Sequence, residues 1–168
     1  VEGVEGTAFD DVFVGVGGGG DPEEVDNAFV GLDGADSYDG LGGLDIVVYA
    51  EELAFGGSAG VTVNLTLGTA VDSFGNSETL TNIEGAVGTI FDDFLDGDDG
   101  DNLFVGLDGD DTIFGGPGVD TVDYEVFDDS PATSGVFADL SSNFIIDDRG
   151  GLDSVFGVER VIGTSLAD

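Results

Sequence analysis

Residues 88–123 read GTIFDDFLD, GDDGDNLFV, GLDGDDTIF and GGPGVDTVD, four units of nine that begin at Gly88, Gly97, Gly106 and Gly115. Position one is always Gly, position four is Gly in the last three, position six is Asp or Asn, and position eight is Leu, Phe, Ile or Val. Each unit divides into a six-residue turn and a three-residue strand. Glycines at positions one, two and four permit positive φ and let the backbone curl with its carbonyl oxygens inward. Period-two alternation leaves only the middle strand residue facing inward. Two units then make one coil of an all-β parallel β-roll, a right-handed β-helix-like solenoid with strands on two faces and turns along two edges.

The same nine-residue phase runs through the first part of the chain as GTAFDDVFV from Gly6, PEEVDNAFV from Pro22, GLDGADSYD from Gly31 and GLGGLDIVV from Gly40. Phe13, Phe29, Tyr38, Val47, Leu95, Phe104, Ile113 and Val122 are therefore expected to stack as one apolar ladder. A longer repeat contains both blocks: an offset of 75 carries Asp26-Asn27 onto Asp101-Asn102, Tyr49 onto Tyr124 and Glu84 onto Glu159. Gly6-Thr7 leads Gly88-Thr89 by 82, which puts seven extra residues in the Gly-rich stretch 17–26. The expected organisation is a first copy over 1–87 (nonapeptides 6–48, spacer 49–87) and a second over 88–162 (nonapeptides 88–123, spacer 124–162), with 163–168 opening a third. Internal repeats at such periods mark solenoids and arrays, so the chain is expected to be a piece of a tandem array. The stretches 50–59 and 125–134 share no identities and suit surface loops.

Composition points to a metal ion. The 168 residues hold 37 acidic side chains against two arginines, Arg149 and Arg160, for a formal net charge of −35. Of the acids 27 are Asp, set among 31 Gly, a pairing suited to turns and oxygen ligation. A surface this acidic repels nucleic acid and anionic membranes, and no stretch of about 18 apolar residues offers a membrane span. The absence of Cys, His and Met excludes thiol catalysis, disulfides, structural zinc and histidine-based triads. Yet 40% of residues are hydrophobic and the mean hydropathy is +0.17, so a core is available and simple disorder is not the reading.

The carboxylates need cations from solution, and a hard ion held by carbonyls and carboxylates is Ca²⁺ before Mg²⁺, which demands tighter octahedral geometry. The candidate ligands at position six are Asp11, Asn27, Asp36, Asp45, Asp93, Asn102, Asp111 and Asp120. Gly31, Gly106, Asp108 and Gly115 complete the turn set, while Asp72 and Asp147 are candidates in the spacers, where Glu78 and Asp153 also stand. The ions are expected between turns two units apart, from the pairs Gly6/Gly31, Pro22/Gly40, Gly88/Gly106 and Gly97/Gly115. No EF-hand loop with its flanking helices is present.

Gly106–Phe114 and Gly115–Asp123 closely resemble the RTX nonapeptide G-G-x-G-x-D-x-U-x, with U a large apolar residue. The spacer order GVxxNL, D, G, IE, GT is similar to that in RTX modules of secreted bacterial proteins. The resemblance implies a non-catalytic, calcium-dependent module, exported by type I secretion and folding on external calcium. It also implies a bacterial cell-surface setting such as an adhesin or surface layer, with neighbouring repeats or copies of itself as partners. An alternative is a calcium-dependent carbohydrate-binding module beside a secreted polysaccharide-active enzyme, with extracellular glycans stacking on Tyr49, Tyr124 or Phe55.

Overall fold

The computed structural model describes residues 2–16, 26–125 and 134–168. The seven-residue insertion with Pro22 and most of the second variable stretch lie outside the described residues. The elements in chain order are β1 (Glu2–Glu5), β2 (Val12–Val14), β3 (Asn27–Val30), β4 (Ser37–Asp39), β5 (Ile46–Val48) and one helical turn, α1 (Glu52–Phe55). The first spacer continues with β6 (Thr62–Asn64), β7 (Thr69–Val71), β8 (Ser77–Thr81) and β9 (Gly85–Val87). The second block supplies β10 (Phe94–Asp96), β11 (Leu103–Val105), β12 (Thr112–Phe114) and β13 (Thr121–Asp123). The second spacer adds β14 (Phe137–Asp139), β15 (Phe144–Ile146), β16 (Leu152–Phe156) and β17 (Arg160–Ile162).

Successive nonapeptides alternate between two sheets, because each six-residue turn carries the chain across the core. The first sheet runs β1-β3-β5-β9-β11-β13-β17, all parallel. The second runs β14-β15-β16-β12-β10-β6-β7-β8-β4-β2. This is a parallel β-roll. All eight ladder residues point between the sheets, and the most exposed of them, Phe13, retains 6% of its surface. Phe13 and Tyr38 stack with ring centroids 5.0 Å apart.

The spacers depart from simple stacking. β8 returns to lie beside β4, while β6 pairs with the later strand β10, so the three-stranded insert runs back toward the chain start. Within it β6–β7 and β7–β8 are antiparallel, as the second spacer's β14–β15 and β15–β16 are. Connections this short permit only antiparallel pairing. Gly68 (φ 65°) makes the first bend and Asn143 (φ 60°) takes the corresponding place 75 residues on. Val63, Ala70 and Leu80 still enter the common core.

The turn glycines play two roles, not one. Position four is left-handed in four of the turns (Gly34, Gly43, Gly109 and Gly118, φ 125–149°), but not at Gly100. In the same four turns position two is left-handed as well, with Leu32, Leu41 and Leu107 at φ 70–71° and only Gly116 relieving it. Position one is not left-handed, and its glycine answers a different demand, described below. Leu41 is exposed whereas Leu32 is buried. Leu41→Gly should therefore hold stability or raise it by up to about 1 kcal/mol, by removing the left-handed penalty. Leu32→Gly should lower it through lost burial. Thermal melts in calcium that show equal losses would contradict this.

Candidate metal centre

Each edge of the roll is threaded by a ladder of position-six side chains. On one edge Asp36 Oδ1 accepts the Asp11 N–H at 2.8 Å and Asp111 Oδ1 accepts the Asp93 N–H at 2.9 Å. On the other, Asp45 Oδ1 accepts the Asn27 N–H and Asp120 Oδ1 accepts the Asn102 N–H, both at 2.8 Å. The spacers extend the ladders at three points. Glu84 and Glu159 accept the N–H groups of Asp45 and Asp120 at 2.9 Å, and Asp153 accepts that of Asp111 at 3.0 Å. One oxygen of each carboxylate thus fixes the vertical spacing of the coils.

The second oxygen is the chemically informative one. Asp45, Asp111 and Asp120 are each at most 1% exposed, and the Oδ2 of each is buried without a hydrogen-bond partner. A buried ionised oxygen without partner or counter-charge is costly. Burial, then the Asp153 charge, pushes the Asp111 carboxyl up to about 9. Burial likewise raises those of Asp45 and Asp120.

The position-one glycines open the space these oxygens face. A β-carbon on Gly106 would run into Asp111 Oδ2. On Gly40 it would meet Asp45 Oδ2 and the Asn82 carbonyl, and on Gly115 it would meet Asp120 Oδ2 and the Gly157 carbonyl. Carbonyl and carboxylate oxygens of successive turns therefore line one niche. Among the described residues no three acidic side chains converge on a metal-sized point. An ion held here would draw much of its shell from main-chain carbonyls, which suits a hard cation accepting six to eight oxygens. The donor set fits calcium.

The remaining candidates divide by how their oxygens are used. The turns of Gly6 and Gly31, and those of Gly88 and Gly106, face one another, as do those of Gly97 and Gly115. Pro22 lies outside the described residues, and the turn opposite Gly40 begins at Gly15, whose N–H donates to Asp39 O at 2.7 Å as Gly97 N–H does to Phe114 O at 2.8 Å. Asp11 and Asp93 are engaged by Thr7 and Thr89, which donate both N–H and Oγ1–H to them. Asn27 and Asn102 accept from Val16 and Asp98 N–H. Asp108 is paired with Arg149, Nε to Oδ1 at 2.6 Å.

Asp72 and Asp147 organise the spacer turns through Oδ1. Tyr49 and Tyr124 are buried, with hydroxyls donating to Glu78 and Asp153 at 2.5 Å, so neither is a glycan platform; Phe55 is exposed. Sequence reasoning missed Glu52, fully buried on α1, where its Oε2 accepts the Ser73 N–H at 2.9 Å. It lies in the stretch without internal repeat, so nothing in the pattern marks it.

Comparison with curated proteins finds no significant match. Among protein families, the RTX calcium-binding nonapeptide repeat matches residues 87–123 in four copies. These are the turns and strands that carry Asp93, Asn102, Asp111 and Asp120. Residues 87–123 of this chain are RTX calcium-binding nonapeptide repeats.

Proposed function

We propose that the whole chain is a non-catalytic structural module that folds around calcium outside the cell, in a tandem array of a secreted or surface protein such as an adhesin or surface-layer protein. The observation that carries this reading is the row of buried, partnerless oxygens on Asp45, Asp111 and Asp120 in a chain whose only side-chain cations are two arginines. Calcium modules of the extracellular class bind at roughly 10⁻⁴–10⁻³ M, which keeps the chain unfolded before export and folds it afterwards. The tandem setting is supported by the way each spacer leans on the next nonapeptide turn. Val61 N–H donates to Asp93 Oδ1 and Val136 N–H to Asp168 Oδ1, both at 2.7 Å. The two long copies, 1–87 and 88–162, serve as the stacking units of this array.

Calorimetric calcium titration of point variants tests the assignment. Asp120→Ala should weaken calcium binding by tenfold or more, whereas Asp99→Ala, on an exposed turn, should match the parent. Equal effects from the two changes would remove the ladder carboxylates from the site.

A further inference from the structure

The two spacer turns are repeats of each other, yet they satisfy their carboxylates differently. In the first copy Asn76 Nδ2 donates to Asp72 Oδ2 at 2.8 Å and to Asp33 Oδ1 at 2.9 Å. The Tyr38 hydroxyl lies 3.3 Å from Asp36 Oδ2 and 3.2 Å from Glu78 Oε1, with one proton to share between them. Amide and phenol together fill the place a cation would take.

An offset of 75 replaces Asn76 with Gly151 and Tyr38 with Ile113, so both donors are gone from the second copy. The matching acceptors, Asp147 Oδ2 and Asp111 Oδ2, are buried there without a hydrogen-bond partner, on residues 2% and 1% exposed. A β-carbon on Gly151 would run into the Gly109 carbonyl, and would lie 2.5 Å from Asp147 Oδ2. Carbonyl and carboxylate oxygens thus face the same small space. Arg149, beside it in sequence, is engaged with Asp108.

From this contrast we infer that the second copy holds a divalent-cation site between the nonapeptide turn 106–111 and the spacer turn 147–151, built on Asp111 Oδ2 and Asp147 Oδ2, which the first copy fills with its own Asn76 and Tyr38. The inference rests on the calcium-module reading and names the spacer turn that completes the site at Asp111, which no pair of nonapeptide turns supplies. Calcium suits a site of two carboxylates with main-chain carbonyls and water completing the shell. One consequence is that metal joins the hydrogen bonds between spacer and nonapeptide block in the second copy, where the first copy uses the Asn76 and Tyr38 side chains.

Native mass spectrometry of the full chain with calcium acetate counts the ions directly. Asp147→Asn preserves the Oδ1 that accepts Arg149, Gly150 and Gly151 N–H and places an amide donor at the open oxygen. It should bind one calcium fewer than the parent, while Asp72→Asn binds the same number. In the reverse direction, Tyr38→Phe combined with Asn76→Gly should add one ion, and this variant decides the matter if Asp147→Asn does not fold. An unchanged count in Asp147→Asn, or a loss of one ion in Asp72→Asn as well, overturns the site. A parent chain that binds no calcium at all overturns the calcium-module reading itself.

Discussion

In EGTA at neutral pH the chain is expected to give a coil-like far-ultraviolet circular dichroism spectrum, and millimolar calcium should convert it to a β spectrum. The size of the effect follows from three terms. The folded chain gathers a formal charge of −35 into a structure of 7928 Å² accessible surface, and only Arg149 and Arg160 offset it. The 31 glycines make the unfolded chain unusually rich in conformations, so ordering them is costly. Against this, each site that binds only the folded form contributes about 1.4 kcal/mol when calcium stands tenfold above its Kd. Three such sites, at Asp45, Asp111 and Asp120, would together supply roughly 4 kcal/mol, close to the lower end of an ordinary domain's stability. Calcium therefore decides between the two states rather than adjusting one of them. Magnesium, which keeps its waters and resists carbonyl-rich shells, should be far less effective at equal concentration. Spectra that are identical in EGTA and calcium would remove the metal from the folding reaction.

The parts legible in sequence are those where one residue type answers one physical demand. Position eight must be apolar because it alone faces inward, and all eight residues so identified are buried. Position six must carry an oxygen, and all eight such residues fall on the two ladders. The glycine at position one was also legible, but for the wrong reason. It leaves room for its own unit's carboxylate, whereas the left-handed second position tolerates Leu32, Leu41 and Leu107.

What stayed hidden depends on pairing across the fold. The reversed order of β6, β7 and β8 follows from which strand finds β4 and which finds β10, and no local pattern encodes that choice. The approach of Gly15 to the Gly40 carbonyl is another such pairing, and the nine-residue phase does not mark it. Glu84 and Glu159 replace the ladder Asp with a longer side chain from a spacer. Their recurrence at an offset of 75 was visible, but their bonds to Asp45 and Asp120 were not.

Acid should partly substitute for calcium, because a proton and a cation relieve the same buried oxygens. Burial, joined by neighbouring anions, raises Asp111 to about 9, Glu78 to about 8 and Glu52 to about 7, while Asp93 and Asp153 reach about 6. In the unfolded chain these groups titrate near 4. Between roughly pH 4 and each raised value the folded state binds more protons than the unfolded one, so metal-free stability falls as pH rises through that window. The loss approaches about 1.4 kcal/mol per pH unit for each group still protonated when folded. In EGTA, β content should therefore increase as pH is lowered from 8 to 5. In calcium the trend should flatten or reverse, since protons then compete with the ion for Asp111. Glu78→Gln mimics the protonated side chain: its amide oxygen accepts from the Tyr49 hydroxyl, and its NH2 faces the Tyr38 hydroxyl, whose proton is then directed to Asp36 Oδ2. It should raise the metal-free β content at pH 8 and weaken its dependence on pH. Circular dichroism over this range, with and without calcium, checks both statements. A metal-free chain that gains no β structure at pH 5 would mean that charge at these oxygens is not what holds it open.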